Sequence, residues 1–87
     1  MKAQTVFEKL YHSEINARLQ WQWDGGFHVA LMAGYANDEV LWEDSSEDID
    51  AAATLLGDAA AREYPASTFR QWWETATDLA ALTKDKP

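Results

Sequence analysis

At 87 residues with fifteen acids and seven bases, a net charge of -8, the chain is one small domain whose charge opposes binding to phosphate backbones, since affinity there comes largely from Lys and Arg displacing counterions. The lack of Cys excludes a disulfide framework and a thiolate metal site. No apolar run approaches the roughly 18 residues of a membrane span, and the opening MKAQTVFEKLYHSE lacks a signal peptide's apolar centre; the expectation is a cytoplasmic protein without membrane contact.

A core must come from large side chains in so short a chain, and five Trp, three Tyr and three Phe supply them, each able to bury on the order of 150 to 250 Å². Residues 3–12, AQTVFEKLYH, set Val6, Phe7, Leu10 and Tyr11 at helical spacing on one side, which predicts a short amphipathic helix covering a sheet. From Glu14 the period becomes two: Ile15, Ala17, Leu19, Trp21 and Trp23 alternate with Asn16, Arg18, Gln20 and Gln22, as in a strand with one buried face. Phe27, Val29, Leu31 and Ala33 then alternate with His28, Ala30 and Met32, so Gly25 and Gly26 sit at the tip of a hairpin.

The stretch WQWDGGFHV allows two hairpin registers. A two-residue loop at Gly25-Gly26 would put Trp21 and Trp23 on the face opposite Phe27, Val29 and Leu31. A three-residue loop, Asp24-Gly25-Gly26 with Gly26 left-handed, pairs Trp23 with Phe27, Trp21 with Val29 and Leu19 with Leu31, and makes one face wholly apolar. The second is the expectation. It leaves Arg18, Gln20, Gln22 and His28 on the other face with Ala30, Met32 and Leu41, either a solvated face or a contact surface. A phosphate-binding loop would need a helix after the glycines, and the chain continues there as a strand.

Gly34 to Asp38, GYAND, reads as a turn, and Glu39 to Glu43 as a third strand with Val40 and Trp42 on one side. Ser45-Ser46-Glu47-Asp48 opens a helix with a serine N-cap and dipole-matched acids, and Ile49, Ala52, Ala53, Leu56, Ala60 and Tyr64 form its inner stripe. Gly57 in that helix costs on the order of 1 kcal/mol relative to Ala unless it permits a close approach. Pro65 ends the helix, Ser67 or Thr68 caps the next, and Phe69, Trp72, Trp73, Ala76, Leu79 and Ala80 are its stripe, with fraying from Lys84 to Pro87. The fold class is α+β, a three-stranded antiparallel meander covered on one face by helices, in the order α-β-β-β-α-α.

From Asp38 to Glu63 nine acids face one base, Arg62. A calcium loop on Asp44, Ser46 and Asp48 fails, because Ile49 and Leu55 occupy the places of the required Gly and Glu. Helix capping explains these acids; the alternative is a docking patch, with Glu43, Asp44, Glu47 and Asp48 meeting a basic partner. His12 and His28 stand at no ligand or catalytic spacing, so no catalytic residue, metal or cofactor is assigned, and a ligand site or enzyme using His28 and Asp24 is the rival from another class. Trp72 and Trp73 point about 100° apart on a helix. Trp72 is placed in the core, with Trp73 or Trp42 as a semi-exposed partner anchor.

The run Glu14-Ile-Asn-Ala with Trp21-x-Trp23-Asp24-Gly25-Gly26-Phe27 resembles small bacterial and phage-type proteins with a W-x-W-D-G-G-F hairpin, which carry no assigned activity. The resemblance implies a hairpin and a bacterial or phage setting. The functional expectation is a non-enzymatic protein acting through protein contacts, by self-association through the open sheet face or edge, or by docking the acidic segment from Asp38 to Asp50 onto a basic hetero-partner. An alternative is an inhibitor whose acids imitate phosphates, as small acidic phage proteins including some anti-CRISPR proteins do.

Overall fold

A computed structural model describes residues 1–33 and 39–84, with side chains through residue 78; Gly34 to Asp38, residues 85–87 and the side chains of residues 79–84, Leu79 and Ala80 among them, lie outside it. The elements run α1 (Ala3–His12), β1 (Ala17–Gln22), β2 (Gly26–Met32), β3 (Val40–Ser46), α2 (Ile49–Glu63) and α3 (Thr68–Lys84), so the fold is the expected α+β meander. The sheet order is β1-β2-β3, antiparallel throughout, which makes β1 and β3 its two edges.

Helix α1 buries Ala3, Val6 and Leu10, while Tyr11, expected on the packed side, is exposed. Lys2 provides no side-chain cap, and the Ala3 N–H instead donates to Asp50 Oδ1 at 2.8 Å. Asp50 thereby sits at the positive ends of both α1 and α2. Glu14 takes the left-handed φ of 59° in the turn that ends α1, and the Ile15 N–H donates to the Leu10 carbonyl.

Around the hairpin, Trp21 opposes Phe27, Leu19 opposes Val29, Ala17 opposes Leu31, and Gln22 opposes Gly26. The expected pairing of Trp23 with Phe27 is therefore displaced by two residues, because Trp23, Asp24 and Gly25 form the turn, closed by the Gly25 N–H donating to the Gln22 carbonyl at 3.1 Å. A shift of two keeps every side chain on its face, so the segregation of apolar from polar residues survives the wrong register. Gly26 is left-handed as expected, with φ at 79°. Its lack of a Cβ is needed twice, since that atom would lie 2.6 Å from the Ser46 carbonyl oxygen of β3.

The third strand is longer than expected and carries a bulge where the pairing steps from Leu31 with Trp42 to Met32 with Val40. Val40 and Trp42 consequently face opposite sides of the sheet, where the alternation had placed them together. Ser45 and Ser46 belong to this strand, and Asp48 rather than a serine caps α2, accepting from the Ala51 N–H at 2.8 Å. Further on, Ser67 Oγ accepts from the Arg70 N–H and caps α3.

Helix α2 lies on β2 and β3, and α1 and α3 pack against α2. The core joins Val6 and Leu10 of α1, Val29 and Leu31 of β2, Leu56 of α2, and Phe69 and Trp73 of α3; full burial of such a side chain contributes about 1.5 to 3 kcal/mol. The roles of the paired tryptophans are the reverse of those expected. Trp73 is 4% exposed, stacks on Phe69 at 5.7 Å and donates its indole N–H to Asp58 Oδ1 at 3.0 Å, whereas Trp72 is half-buried with the Lys9 ammonium over its ring. Gly57 is the reason: a Cβ there would collide with the Trp73 ring, so the glycine in α2 is the seat into which Trp73 fits. Trp73 is thus a core residue and is withdrawn as a partner anchor.

Candidate interaction surfaces

The helix layer ends before the sheet does. Leu19 and Trp21 share the face of Val29 and Phe27, yet α2 covers only β2 and β3, and every residue of β1 is exposed. Leu19 is 42%, Trp21 66% and Trp23 86% exposed, and Tyr11 of α1 is 78% exposed beside them. Between α1 and β1 runs an open groove of about 320 Å³ lined by Phe7, Leu10, Tyr11, Ile15, Ala17, Leu19 and Leu56, among others. Val40 and Leu41 on β3 are exposed to the same degree as Leu19, but the three exposed Tyr and Trp rings among the described residues all lie on the β1 side, and such a concentration is the usual mark of a contact surface, unlike apolar residues scattered singly.

The backbone of β1 is open on the same side. The Met32 N–H donates to the Asn16 carbonyl, which fixes Asn16 and Met32 as a bonded pair, and by alternation Arg18, Gln20 and Gln22 turn their peptide groups toward β2. The N–H and C=O groups of Ala17, Leu19 and Trp21 therefore point away from the sheet. Edge strands are normally blunted by charge, proline or a bulge, and of these β1 has only Arg18.

The other edge is guarded. Glu39, Glu43 and Asp44 are exposed on or beside β3, and its bulge interrupts the regular ladder. Asp44 Oδ1 accepts from the Ser45 N–H at 2.8 Å, occupying an outward-pointing donor that another strand would need. Asp48 is committed to capping α2, and Glu47 lies at the hairpin end, lining a hollow with Trp21, Trp23 and Asp24. Of the acidic residues singled out in the sequence, Asp44 and Asp48 thus accept from backbone N–H groups, while Glu43 and Glu47 are exposed, as Asp44 is.

Arg18, Gln20, Gln22 and His28 do share the sheet's outward face, as expected, and Glu43 and Ser45 join them there. Ala30 and Met32 on this face are buried, so its character is polar. His28 Nδ1 lies 3.0 Å from Ser45 Oγ, and His28 Nε2 lies 3.8 Å from Glu43 Oε2. The serine, histidine and carboxylate are in the order of a nucleophilic triad. Acyl transfer would also require donors for a developing oxyanion, and the serine's own N–H already donates to the Asp44 carboxylate, whose charge would repel that oxyanion. The arrangement is better suited to pinning β3 to β2. Asp24, in the hairpin turn, has no recorded contact with His28, and among the described residues no group of three or more His, Asp and Glu converges on a metal position.

Sequence alone pointed to the polar face, the acids and an open sheet edge, but did not single out β1, because the alternation of β1 predicts a strand with one face covered. Being the first strand of a meander, and hence an edge, was the available signal. Among the described residues no helix is long and apolar enough to cross a membrane. No family model, no curated protein and no solved structure matches this chain.

Proposed function

We propose that this is a non-enzymatic protein that works by protein contact, and that β1 is its contact margin. The observation carrying this reading is the coincidence, on one edge strand and the turn that follows it, of exposed Leu19, Trp21 and Trp23 with the outward peptide groups of Ala17, Leu19 and Trp21. An incoming strand would gain main-chain hydrogen bonds and aromatic contact together, the pairing used in recognition by β-augmentation. The non-enzymatic part is supported by the Asp44 carboxylate on the Ser45 N–H.

A photo-crosslinking residue placed at Trp23 in cells that make the protein tests this reading. A discrete crosslinked protein species is expected from Trp23, and none from the same probe at Glu74 on α3. No species from Trp23 would defeat it.

A second reading has its own support in the exposed carboxylates of Glu39, Glu43, Asp44 and Glu47 along the β3 side. They would dock a basic protein partner, phosphate imitation being one form of this. Such binding weakens as salt screens the charges, whereas contact through β1 persists.

A further inference from the structure

We infer that the occupant of the β1 margin is a second copy of this chain, joined β1 to β1 in antiparallel register about a two-fold axis at Leu19. The inference rests on the reading of β1 as a contact margin and adds what fills it. Three observations select a second copy.

The first is shape. A two-fold at Leu19 opposes Ala17 of each copy to Trp21 of the other, on the helix-facing side of the joined sheet. Ala17, the small residue of β1, lines the open groove with Leu10, Tyr11 and Leu56, while Trp21 is a projecting ring 66% exposed. Knob and hole thus lie on the same strand, two residues either side of Leu19, and one rotation seats both rings. This is the self-complementarity an isologous interface requires.

Backbone pairing is the second. The outward peptide groups belong to Ala17, Leu19 and Trp21, and the register centred on Leu19 engages all of them, making about six hydrogen bonds. Centring on Gln20 would draw in Trp23, which lies in the turn, and centring on Arg18 would oppose that cation to itself. In the chosen register Arg18 faces Gln20.

The third is charge. A chain of -8 should repel its copy, yet residues 1–22, which contain α1 and β1, hold the bases Lys2, Lys9 and Arg18 against the acids Glu8 and Glu14. Thirteen of the fifteen acids lie beyond residue 23, many on the guarded side of the sheet. Apart from Asp24 and Glu47 at its hairpin end, the β1 margin is close to charge-balanced, and the dimer joins two such margins. Exposed Leu19, Trp21, Trp23 and Tyr11 offer roughly 500 Å² per copy before the strand edge is counted, against about 800 Å² per partner in a stable complex.

The closing experiment combines sedimentation with a cysteine scan, which the cysteine-free chain allows without background. A closed dimer is expected for the full chain. Trp21→Gln weakens it by roughly tenfold or more, the scale of a truncated hot-spot tryptophan. Leu41→Gln, which removes from β3 a leucine as exposed as Leu19, leaves it intact, and circular dichroism checks that both variants fold. Under mild oxidation Leu19→Cys forms an interchain disulfide, since a bonded antiparallel pair sets Cα atoms about 5.5 Å apart, inside disulfide range. Glu43→Cys on β3 does not. A monomer at millimolar concentration, a dimer that crosslinks through Glu43→Cys instead of Leu19→Cys, or an open-ended polymer each overturns the inference. If the chain is monomeric while the probe at Trp23 captures a different protein, the contact reading stands and only self-association fails; if Trp23 captures nothing, both fail.

Discussion

The two edges of this sheet solve the same problem in opposite ways. Both present a row of peptide groups to solvent, but β3 pairs a bulge with exposed acids and turns the Asp44 carboxylate back onto its own Ser45 N–H. β1 is a regular strand of six residues with Arg18 as its single charge and Leu19 and Trp21 standing beside open backbone. An unguarded, apolar edge invites pairing, and that is the basis of the contact proposed for β1. Under the proposed reading, contact takes place where the helix layer leaves the sheet uncovered, on exposed β1, and needs no pocket.

Unguarding β3 is the largest perturbation of this contrast. The double change Glu43→Thr and Asp44→Val should make the second edge resemble the first, so that copies pair at both ends and light scattering reports open-ended assemblies that grow with concentration. Assemblies no larger than those of the native chain would show that the acids do not separate the two edges.

Gly26→Val should come next, because Gly26 joins the hairpin tip to the end of β3. A β-branched side chain meets a φ of 79° and the Ser46 carbonyl at once, and urea titration should show about 2 to 4 kcal/mol of lost stability. A loss below the cost of an ordinary surface change, about 0.5 kcal/mol, would contradict the close approach.

Removing by Asp50→Ala the carboxylate that accepts from the Ala3 N–H at the start of α1 should cost about 1 kcal/mol, typical of a lost N-cap. Amide exchange should rise in the first turn of α1, which ends in the wall of the β1 groove, while the amides of β3 keep their protection. Equal loosening at both edges would mean that Asp50 does not distinguish them. Smallest of all is Glu43→Gln: its contact with His28 is long and exposed, and such pairs contribute from nothing to about 1 kcal/mol. Thermal unfolding of this variant should match the native chain, and a large shift would assign the ladder of His28, Ser45 and Glu43 more than a pinning role.

Much of the architecture was legible because periodicity is local. The spacing of Val6, Phe7 and Leu10 marked α1 to the residue, and the alternation on either side of Gly25 and Gly26 separated the faces correctly even though the pairing moved by two. What the pattern could not supply was the partner of each element. Adjacent Trp72 and Trp73 differ only in direction, and which one is buried was settled by the gap that Gly57 leaves in α2, a residue far along the chain. Ser45 and Ser46 are good N-caps by composition, but the pairing of β3 with β2 carried the strand past them and left the cap to Asp48.

For the candidate site the division is sharper. Sequence by itself determined an α+β meander with an apolar and a polar face, and it placed Arg18, Gln20, Gln22 and His28 together, because side-chain direction in a strand follows from residue parity. Only the tertiary structure decided that the apolar face outruns its cover. Whether Leu19 and Trp21 are core or surface depends on where α2 lies across the strands, and that is fixed by packing among Leu56, Val29, Leu31 and Phe69, none of which belongs to β1.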